Sequence, residues 1–254
     1  MISSSDITII SGPCAVESRE QVAEVASTVA ELGLTYLRGG AFKPRTSPYS
    51  FQGLEEEGLK YLADAAKSHG LKSVTEVMDT EHVALVLQYV DVVQIGTRNM
   101  ANFALLKKVG AMTAESKTPV ILKRGMSATI DEWLLASEYI TRAGNTNVIL
   151  CERGIRTFET ATRFTLDLAT VPVIKKLSSL PIIVDISHAM GHSDYIIPMS
   201  RAAVAAGADG LMIEVHPNPK KALCDGAQSL TPDQMKQLVS EVKAIAEVVG
   251  KRVV

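Results

Sequence analysis

Eight short runs of aliphatic and β-branched residues recur along the chain, at 7–10, 34–37, 71–77, 90–95, 119–122, 147–150, 181–184 and 210–215. Runs of this kind, flanked by turn residues, read as strands buried on both faces, the pattern of a parallel sheet. Helical spacing fills the gaps. Val22, Val25, Ala26, Val29 and Leu32 repeat between the first two runs, and Met235, Leu238, Val239, Val242, Ile245, Ala246 and Val249 come after the last. Thr231 and Pro232 supply an N-cap and a first-turn proline for that final helix. Trp133, Leu134 and Tyr139 belong to a helix beginning near Ala128, where Trp133 reads as packing. Eight strand–helix units in 254 residues predict an α/β fold, a (β/α)8 barrel. A doubly wound sheet would carry a Gly-rich dinucleotide turn after its first strand, and Ser11-Gly12-Pro13-Cys14 is not one. No linker, low-complexity tract or long repeat interrupts the pattern, so residues 1–254 read as a single barrel domain.

Each run ends in polar or ionisable residues. Cys14 comes after the first and Arg38 after the second; Glu76 lies in the third and Arg98 comes after the fourth. Lys123 and Arg124 close the fifth, Glu152 and Arg153 the sixth, Asp185 and His188 the seventh, Glu214 and His216 the eighth. In a barrel these positions converge on the C-terminal rim, where active sites are built. The richest rim segment is LRGGAFKPRTSP (37–48), which holds Arg38, Lys43, Arg45, Thr46 and Ser47 between a glycine pair and two prolines. Forked and point-charge donors on a stiffened loop suit phosphate or carboxylate.

Charge and cysteine usage exclude several classes. A formal net charge of -2 gives no global attraction to nucleic acid or an acidic membrane, so an anion site has to be built from local clusters. Three dispersed cysteines do not suggest a disulfide framework and fit a reduced, cytoplasmic protein. The N-terminus lacks a signal-peptide pattern, and no apolar run approaches the roughly 20 residues of a membrane helix.

Two sub-sites are expected in the rim. Strands 1, 7 and 8 are neighbours in a closed barrel, so Cys14, His188, Glu214 and Asp225 can meet. A thiolate, an imidazole and two carboxylates suit a borderline divalent ion such as Mn, Fe, Co or Zn. Each residue also has a plain reading: a buried filler, a hydrogen-bonded loop histidine, a partner for a nearby lysine, a turn aspartate. The second set, Arg38, Lys43, Arg45, Arg98, Lys123, Arg153 and Arg156, comes from strand ends 2, 4, 5 and 6 and is expected across the barrel from the metal group. It implies a substrate with two anionic groups or two anionic substrates, with one or two of the cations paired to Glu76, Glu152 or Glu159. The usual phosphate place of this fold, after strands 7 and 8, here holds Asp185, Glu214 and Asp225, which repel phosphate unless a cation bridges them.

These motifs resemble a known family along nearly the whole chain. SGPCAVES (11–18), LRGGAFKPRTSPYSFQG (37–53), QIGTRNM (94–100), ILKRGM (121–126), ILCERGIRTFE (149–159), HAMG (188–191), DGLMIEVHP (209–217) and DGAQSL (225–230) are similar to 3-deoxy-D-arabino-heptulosonate 7-phosphate (DAHP) synthases of the compact type I β group. The resemblance implies condensation of phosphoenolpyruvate with erythrose 4-phosphate, release of phosphate, and entry to the shikimate pathway and aromatic amino acid biosynthesis. It implies Cys14, His188, Glu214 and Asp225 as ligands of a divalent metal. Arg38, Lys43, Arg98, Lys123 and Arg153 match positions that hold phosphoenolpyruvate, and Arg45, Thr46 and Ser47 the loop that takes the aldose phosphate. It also implies a homo-oligomer, dimer or tetramer, and no nucleic-acid or membrane partner.

The relative to distinguish is 3-deoxy-D-manno-octulosonate 8-phosphate synthase, which uses arabinose 5-phosphate. That family tends to show a KANRSS-type loop where this chain has Lys43 to Ser47, and a polar Phe-Gly segment where it has Ile155 to Phe158. One departure is visible: Asp185-Ile186-Ser187-His188 stands where the family usually has Asp-Pro-Ser-His, which implies altered loop stiffness and retained chemistry. The first strand begins almost at once, so no N-terminal regulatory domain or fused chorismate mutase is expected. In the implied mechanism C3 of phosphoenolpyruvate attacks an aldehyde polarised at the metal, water adds at C2, and phosphate leaves by C–O cleavage. The acid is Lys43, His188 or a metal-bound water. Two other classes compete with this reading. A Schiff-base aldolase would use Lys123 as nucleophile, which the flanking arginines and the metal-type set disfavour. A non-catalytic phosphate-binding module would lack the metal set.

Overall fold

The computed structural model describes residues 2, 5–44 and 47–254 of the chain. All eight expected strands form: β1 (Asp6–Gly12), β2 (Tyr36–Arg38), β3 (Lys72–Val77), β4 (Val92–Ile95), β5 (Val120–Lys123), β6 (Val148–Glu152), β7 (Ile182–Asp185) and β8 (Gly210–Glu214). Each pairs in parallel with the next, β8 pairs with β1, and β1 pairs with β2, so the sheet closes into a barrel. A short strand the sequence reading missed, β9 (Arg252–Val253), adds beside β1 outside the ring. Its two residues carry no period of their own.

Helices lie between the strands: α1 (Arg19–Glu31), α2 (Glu55–Ser68), α3 (Val83–Val86), α4 (Phe103–Met112), α5 (Ile130–Arg142), α6 (Thr170–Leu177), α7 (Ile186–Met190), α8 (Ile196–Ala205) and α9 (Pro232–Val248). α5 starts two residues later than Ala128 because Thr129 and Glu132 form a reciprocal capping box, and Thr231 with Gln234 does the same for α9. Trp133 is fully buried under α5 and its indole N–H donates to the Leu122 carbonyl at 3.1 Å, so it is packing, as expected. Among the described residues no helix is long and apolar enough to cross a membrane.

Strand periodicity sets what the barrel holds. Ile10, Tyr36, Val74, Val92, Ile121, Ile149, Ile183 and Met212, one from each strand, form a buried apolar layer inside the ring, with Ile2 below. The residues between them, such as Leu37, Leu122, Leu150, Val184 and Ile213, pack outward against the helices. Side chains alternate along a strand with period two. The next inward position on each strand is therefore Gly12, Arg38, Glu76, Gln94, Lys123, Cys151, Asp185 or Glu214. One apolar layer thus supports one polar layer, and the site stands on it. The same parity sends Arg124 and Glu152 outward, where they pair at 2.9 Å, and Arg124 also reaches Asp167 at 2.9 Å. Glu152 therefore does bind a cation, but one from outside the expected cationic set.

Candidate active site

The four donors proposed for a metal meet. A sulfur of Cys14, a ring nitrogen of His188 and carboxylate oxygens of Glu214 and Asp225 all lie within 4.8 Å of one another. Glu214 ends β8 and is fully buried, Cys14 comes just after β1, and the β1–β8 register sets Gly12 opposite Glu214. His188 lies in α7, whose N-cap Asp185 accepts the His188 backbone N–H at 3.1 Å. The Asp185 carboxylate also takes the His188 Nδ1 at 2.8 Å, leaving Nε2 to face Glu214 at 3.3 Å and Asp225 at 3.8 Å. A carboxylate holding one imidazole nitrogen while the other points at a donor cluster is the arrangement that a histidine able to bind a metal would need. Asp225 holds φ +53°, ψ +34°, a left-handed conformation that aspartate tolerates better than most residues.

The structure corrects one spatial expectation. Arg38 and Lys43 do not stand across the barrel from the metal group. Because β1 and β2 are hydrogen-bonded neighbours, with Ser11 opposite Leu37, strand end 2 abuts the cluster. Arg38 is buried, its Nη1 donating to Glu214 at 2.6 Å and to the Pro13 carbonyl at 2.8 Å. Gly12 makes this possible, since a Cβ there would meet the Arg38 carbonyl oxygen at 1.9 Å. Lys43 donates to the Cys14 carbonyl at 2.9 Å and to the Cys14 sulfur at 3.1 Å.

Burial and charge set the protonation of the cluster. A sulfur contact with Cys224 at 3.3 Å and burial raise the Cys14 thiol well above its ordinary range. A bound divalent ion would reverse that, since a coordinating thiol is deprotonated outright. Burial opposes ionisation of Glu214, yet His188 and Arg38 hold its pKa below the usual value. Burial likewise opposes ionisation of Asp225, but the Arg163 guanidinium and His188 bring it down to about 2. Burial lowers the His188 pKa, outweighing the opposing pull of Asp185 and Glu214. Burial opposes the charge on Lys43, but the negative charge that the Cys14 and Cys224 sulfurs and Glu214 can carry raises its pKa above the ordinary lysine value.

Beside this cluster opens a cavity of about 290 Å³ lined by Lys43, Ser47, Arg98, Lys123, Arg153 and His188, among others. Lys123 pairs with Asp185 on the polar layer. Arg153 is buried, stacks on Phe164 at 3.9 Å, and reaches the His188 carbonyl only at 3.5 Å. Its Nη1 is buried without a hydrogen-bond partner. An unpartnered buried guanidinium N–H calls for an anion. Arg98 is exposed on a one-turn 3₁₀ segment after β4, and among the described residues it has no ion-pair partner. Ser47 is exposed at the mouth, its hydroxyl accepting the Tyr49 N–H at 3.3 Å. Arg156 lies outside the cavity lining, its guanidinium 3.8 Å from the Met126 sulfur. Arg45 and Thr46 lie outside the described residues.

The structure adds members that sequence reasoning missed. Arg163 bonds Asp225 at 3.1 Å and Gln228 at 2.7 Å, and Gln228 in turn donates to Glu214 at 2.7 Å. Phe164 and Arg163 arrive on the long connection after β6, which folds back through the Ile155–Thr165 bridge. That segment has neither helical nor strand period, so no signal marked it. Asp185 was legible: an aspartate three residues before a histidine is an N-cap spacing. Glu76 also lines the cavity, held by Gln94 at 3.0 Å, and Gly96 leaves it room, since a Cβ there would lie 2.0 Å from its carboxylate. At Ile186 the side chain is fully buried in the first turn of α7, below the Asp185 cap.

A profile of the DAHP synthetase I family matches residues 3–250. The chain is 55% identical over 246 residues to the phospho-2-dehydro-3-deoxyheptonate aldolase of Thermotoga maritima, covering 97% of this chain and 72% of that protein. The crystal structure of a Thermotoga maritima DAHP synthase superposes with a TM-score of 0.96 at 54% identity, covering all of this chain and 73% of that one. A 2-dehydro-3-deoxyphosphooctonate aldolase from Desulfotalea psychrophila is 31% identical over 258 residues, covering 94% of this chain and 90% of that protein.

Proposed function

We infer the activity from family and rim together: the chain belongs to the DAHP synthetase I family, and it condenses phosphoenolpyruvate with erythrose 4-phosphate and water to give DAHP and phosphate. The observation that carries the reading is the junction, in one cavity, of a four-donor metal group with cations left open for anions, Arg153 above all. The far higher identity to a seven-carbon synthase than to eight-carbon ones favours the four-carbon sugar.

The donor set fits a borderline divalent ion, with a soft sulfur, one imidazole and two hard oxygens. Such an ion, when bound, supplies Lewis-acid polarisation of a carbonyl oxygen. The chain's own residues do the rest. Lys123, Arg153 and Arg98 hold the carboxylate and phosphate of phosphoenolpyruvate, presenting one face of its double bond. Asp185 keeps His188 in the tautomer whose Nε2 lone pair points at the donor group, which removes His188 as a proton donor at that atom. Lys43, charged and at the cavity edge, is then the group with a proton to give, and we assign it as the acid for the departing phosphate. Arg38, buried under Glu214, positions that carboxylate and does not reach the cavity.

The test is phosphate release from phosphoenolpyruvate with erythrose 4-phosphate or arabinose 5-phosphate, each with manganese and with EDTA. Metal-dependent release with the four-carbon sugar alone is expected. Preference for the five-carbon sugar would assign the octulosonate reaction instead, and silence with both would leave a phosphate-binding module.

A further inference from the structure

The barrel does not place the four candidate donors equally. Cys14 and Glu214 stand at or just after strand ends and His188 lies in the short helix directly after β7, but Asp225 sits partway along the connection 215–231 between β8 and α9. Closure of the sheet fixes the first three and leaves the fourth to its loop. Asp225 also holds a left-handed backbone, φ +53° and ψ +34°, which a non-glycine residue keeps only where its surroundings hold it there. Its carboxylate nevertheless comes to 3.4 Å from the Cys14 sulfur. The connection that carries Asp225 must therefore be fastened to the one that carries Cys14.

Glu17 is placed to do this. It follows the Ala15–Gly40 bridge and precedes Ser18, the N-cap of α1, and its own N–H donates to the Gln21 side chain at 3.3 Å, so its backbone is held on both sides. Its side chain is only 11% exposed and reaches across to the β8–α9 connection. One carboxylate oxygen accepts the Leu223 N–H at 2.8 Å, two residues before Asp225, and the other faces the His216 Nε2 at 3.3 Å. The N–H groups of Lys221 and Ala222 bond back to the carbonyls of Asn218 and Pro219, inside their own turn. That of Leu223 instead ties the turn to the neighbouring connection. The His216 contact has a fixed direction. The Asn218 backbone N–H donates to His216 Nδ1 at 3.0 Å, so Nδ1 is the acceptor and Nε2 carries the proton that is given to Glu17. Two N–H donors thus converge on one side chain. A carboxylate offers an oxygen to each, whereas an amide would set its NH₂ against one of them.

We propose that Glu17 is a positioning residue for the donor group. With His216 it straps the β8–α9 connection to the β1–α1 connection and so holds Asp225 at donor distance from Cys14. The inference rests on the reading of Cys14, His188, Glu214 and Asp225 as metal donors given above.

The test is manganese binding to the full chain by calorimetry, set beside phosphate release measured across manganese concentrations, with circular dichroism to confirm that each variant is folded. The native chain is expected to bind manganese. Glu17→Ala is expected to weaken that binding roughly 10- to 100-fold, the range for lost supports around a metal site. Glu17→Gln should weaken it less, because its one oxygen can still take the Leu223 N–H, and His216→Ala should resemble Glu17→Gln. In each variant the manganese concentration for half-maximal turnover should rise with the dissociation constant, while the KM for phosphoenolpyruvate at saturating manganese stays within about twofold of native. Native manganese affinity in folded Glu17→Ala overturns the positioning role and leaves the donor reading standing. A native chain that binds no manganese overturns the donor reading and this inference with it. A loss of affinity matched by an equal rise in that KM overturns the inference too, since Glu17 would then support the rim as a whole. If Glu17→Ala does not fold, Glu17→Gln, which keeps the side-chain volume, decides by the same measures.

Discussion

The two halves of the rim are built on opposite terms. Around Cys14, Glu214 and Asp225 nearly every charge already has a partner within the chain: Arg38 on Glu214, Lys43 on Cys14, Arg163 on Asp225 and Asp185 on His188. Around Arg153 and Arg98 the cations are left open, one of them buried with an unpartnered N–H. Closely spaced acidic donors would repel one another without nearby cations, so the half that gathers carboxylates has to carry its own counter-charges. Lys123 stands between the two halves, since it lines the same cavity as Arg153 and Arg98 but already pairs with Asp185. Glu214 links the two strategies, since it is both a candidate ligand and the anchor of a buried arginine.

Substitutions can break this division, and their effects should fall in order. The largest belongs to Cys14→Ala, which removes a donor and leaves Lys43 beside an apolar methyl. Manganese binding by calorimetry should be lost and turnover should fall by about 10³-fold or more, equivalent to ~4 kcal/mol of barrier. Full activity of this variant in the presence of a chelator would remove the metal role. Next comes Asp185→Asn, which releases the His188 ring and leaves Lys123 without its counter-charge. Metal affinity should drop roughly 10- to 100-fold, as for other outer partners of ligating histidines.

Arg153→Ala acts on the other half. The KM for phosphoenolpyruvate should rise roughly tenfold, the scale of a lost charge-assisted hydrogen bond, while manganese affinity stays within about twofold. A variant that loses both would show that the halves are one unit. The smallest effect serves as a control outside the rim. Burial opposes ionisation of Asp167, but the Thr170 hydroxyl and the Arg124 guanidinium hold its pKa below the ordinary carboxylate value. A carboxyl depressed in the folded state contributes stability that is present above its unfolded pKa, about 3.9, and is lost as pH falls through the lowered value. Denaturant midpoints should therefore decline below about pH 4, and Asp167→Asn should flatten that part of the decline without changing metal affinity at neutral pH. An unchanged acid limb would discount the Asp167–Arg124 contact.

The sequence made the barrel legible because each strand is a buried run with a period of two, and that period places Lys123, Asp185 and Glu214 one step above the apolar layer. The candidate donor group was legible in part: Cys14, His188 and Glu214 sit at or just after strand ends whose order is fixed once the sheet closes, while Asp225 lies on the connection after β8. Less legible was which cations serve which half. Arg38 and Lys43 look like substrate cations in a linear reading, and only the β1–β2 pairing brings them against Glu214 and Cys14. Arg163, Phe164 and Gln228 were hidden in aperiodic connections, where neither hydrophobic spacing nor capping chemistry marks a residue. Trp133 shows the reverse case, a conspicuous residue whose indole serves only a backbone carbonyl.

The most direct test of the division is phosphoenolpyruvate binding to the chelator-treated protein, by calorimetry, set beside turnover of the same sample. If the cationic half is formed independently of the metal, phosphoenolpyruvate binds with EDTA present at an affinity close to that with manganese, while phosphate release stops until manganese is returned. Loss of phosphoenolpyruvate binding on chelation would contradict the account, because the two halves would then be a single site assembled by the ion.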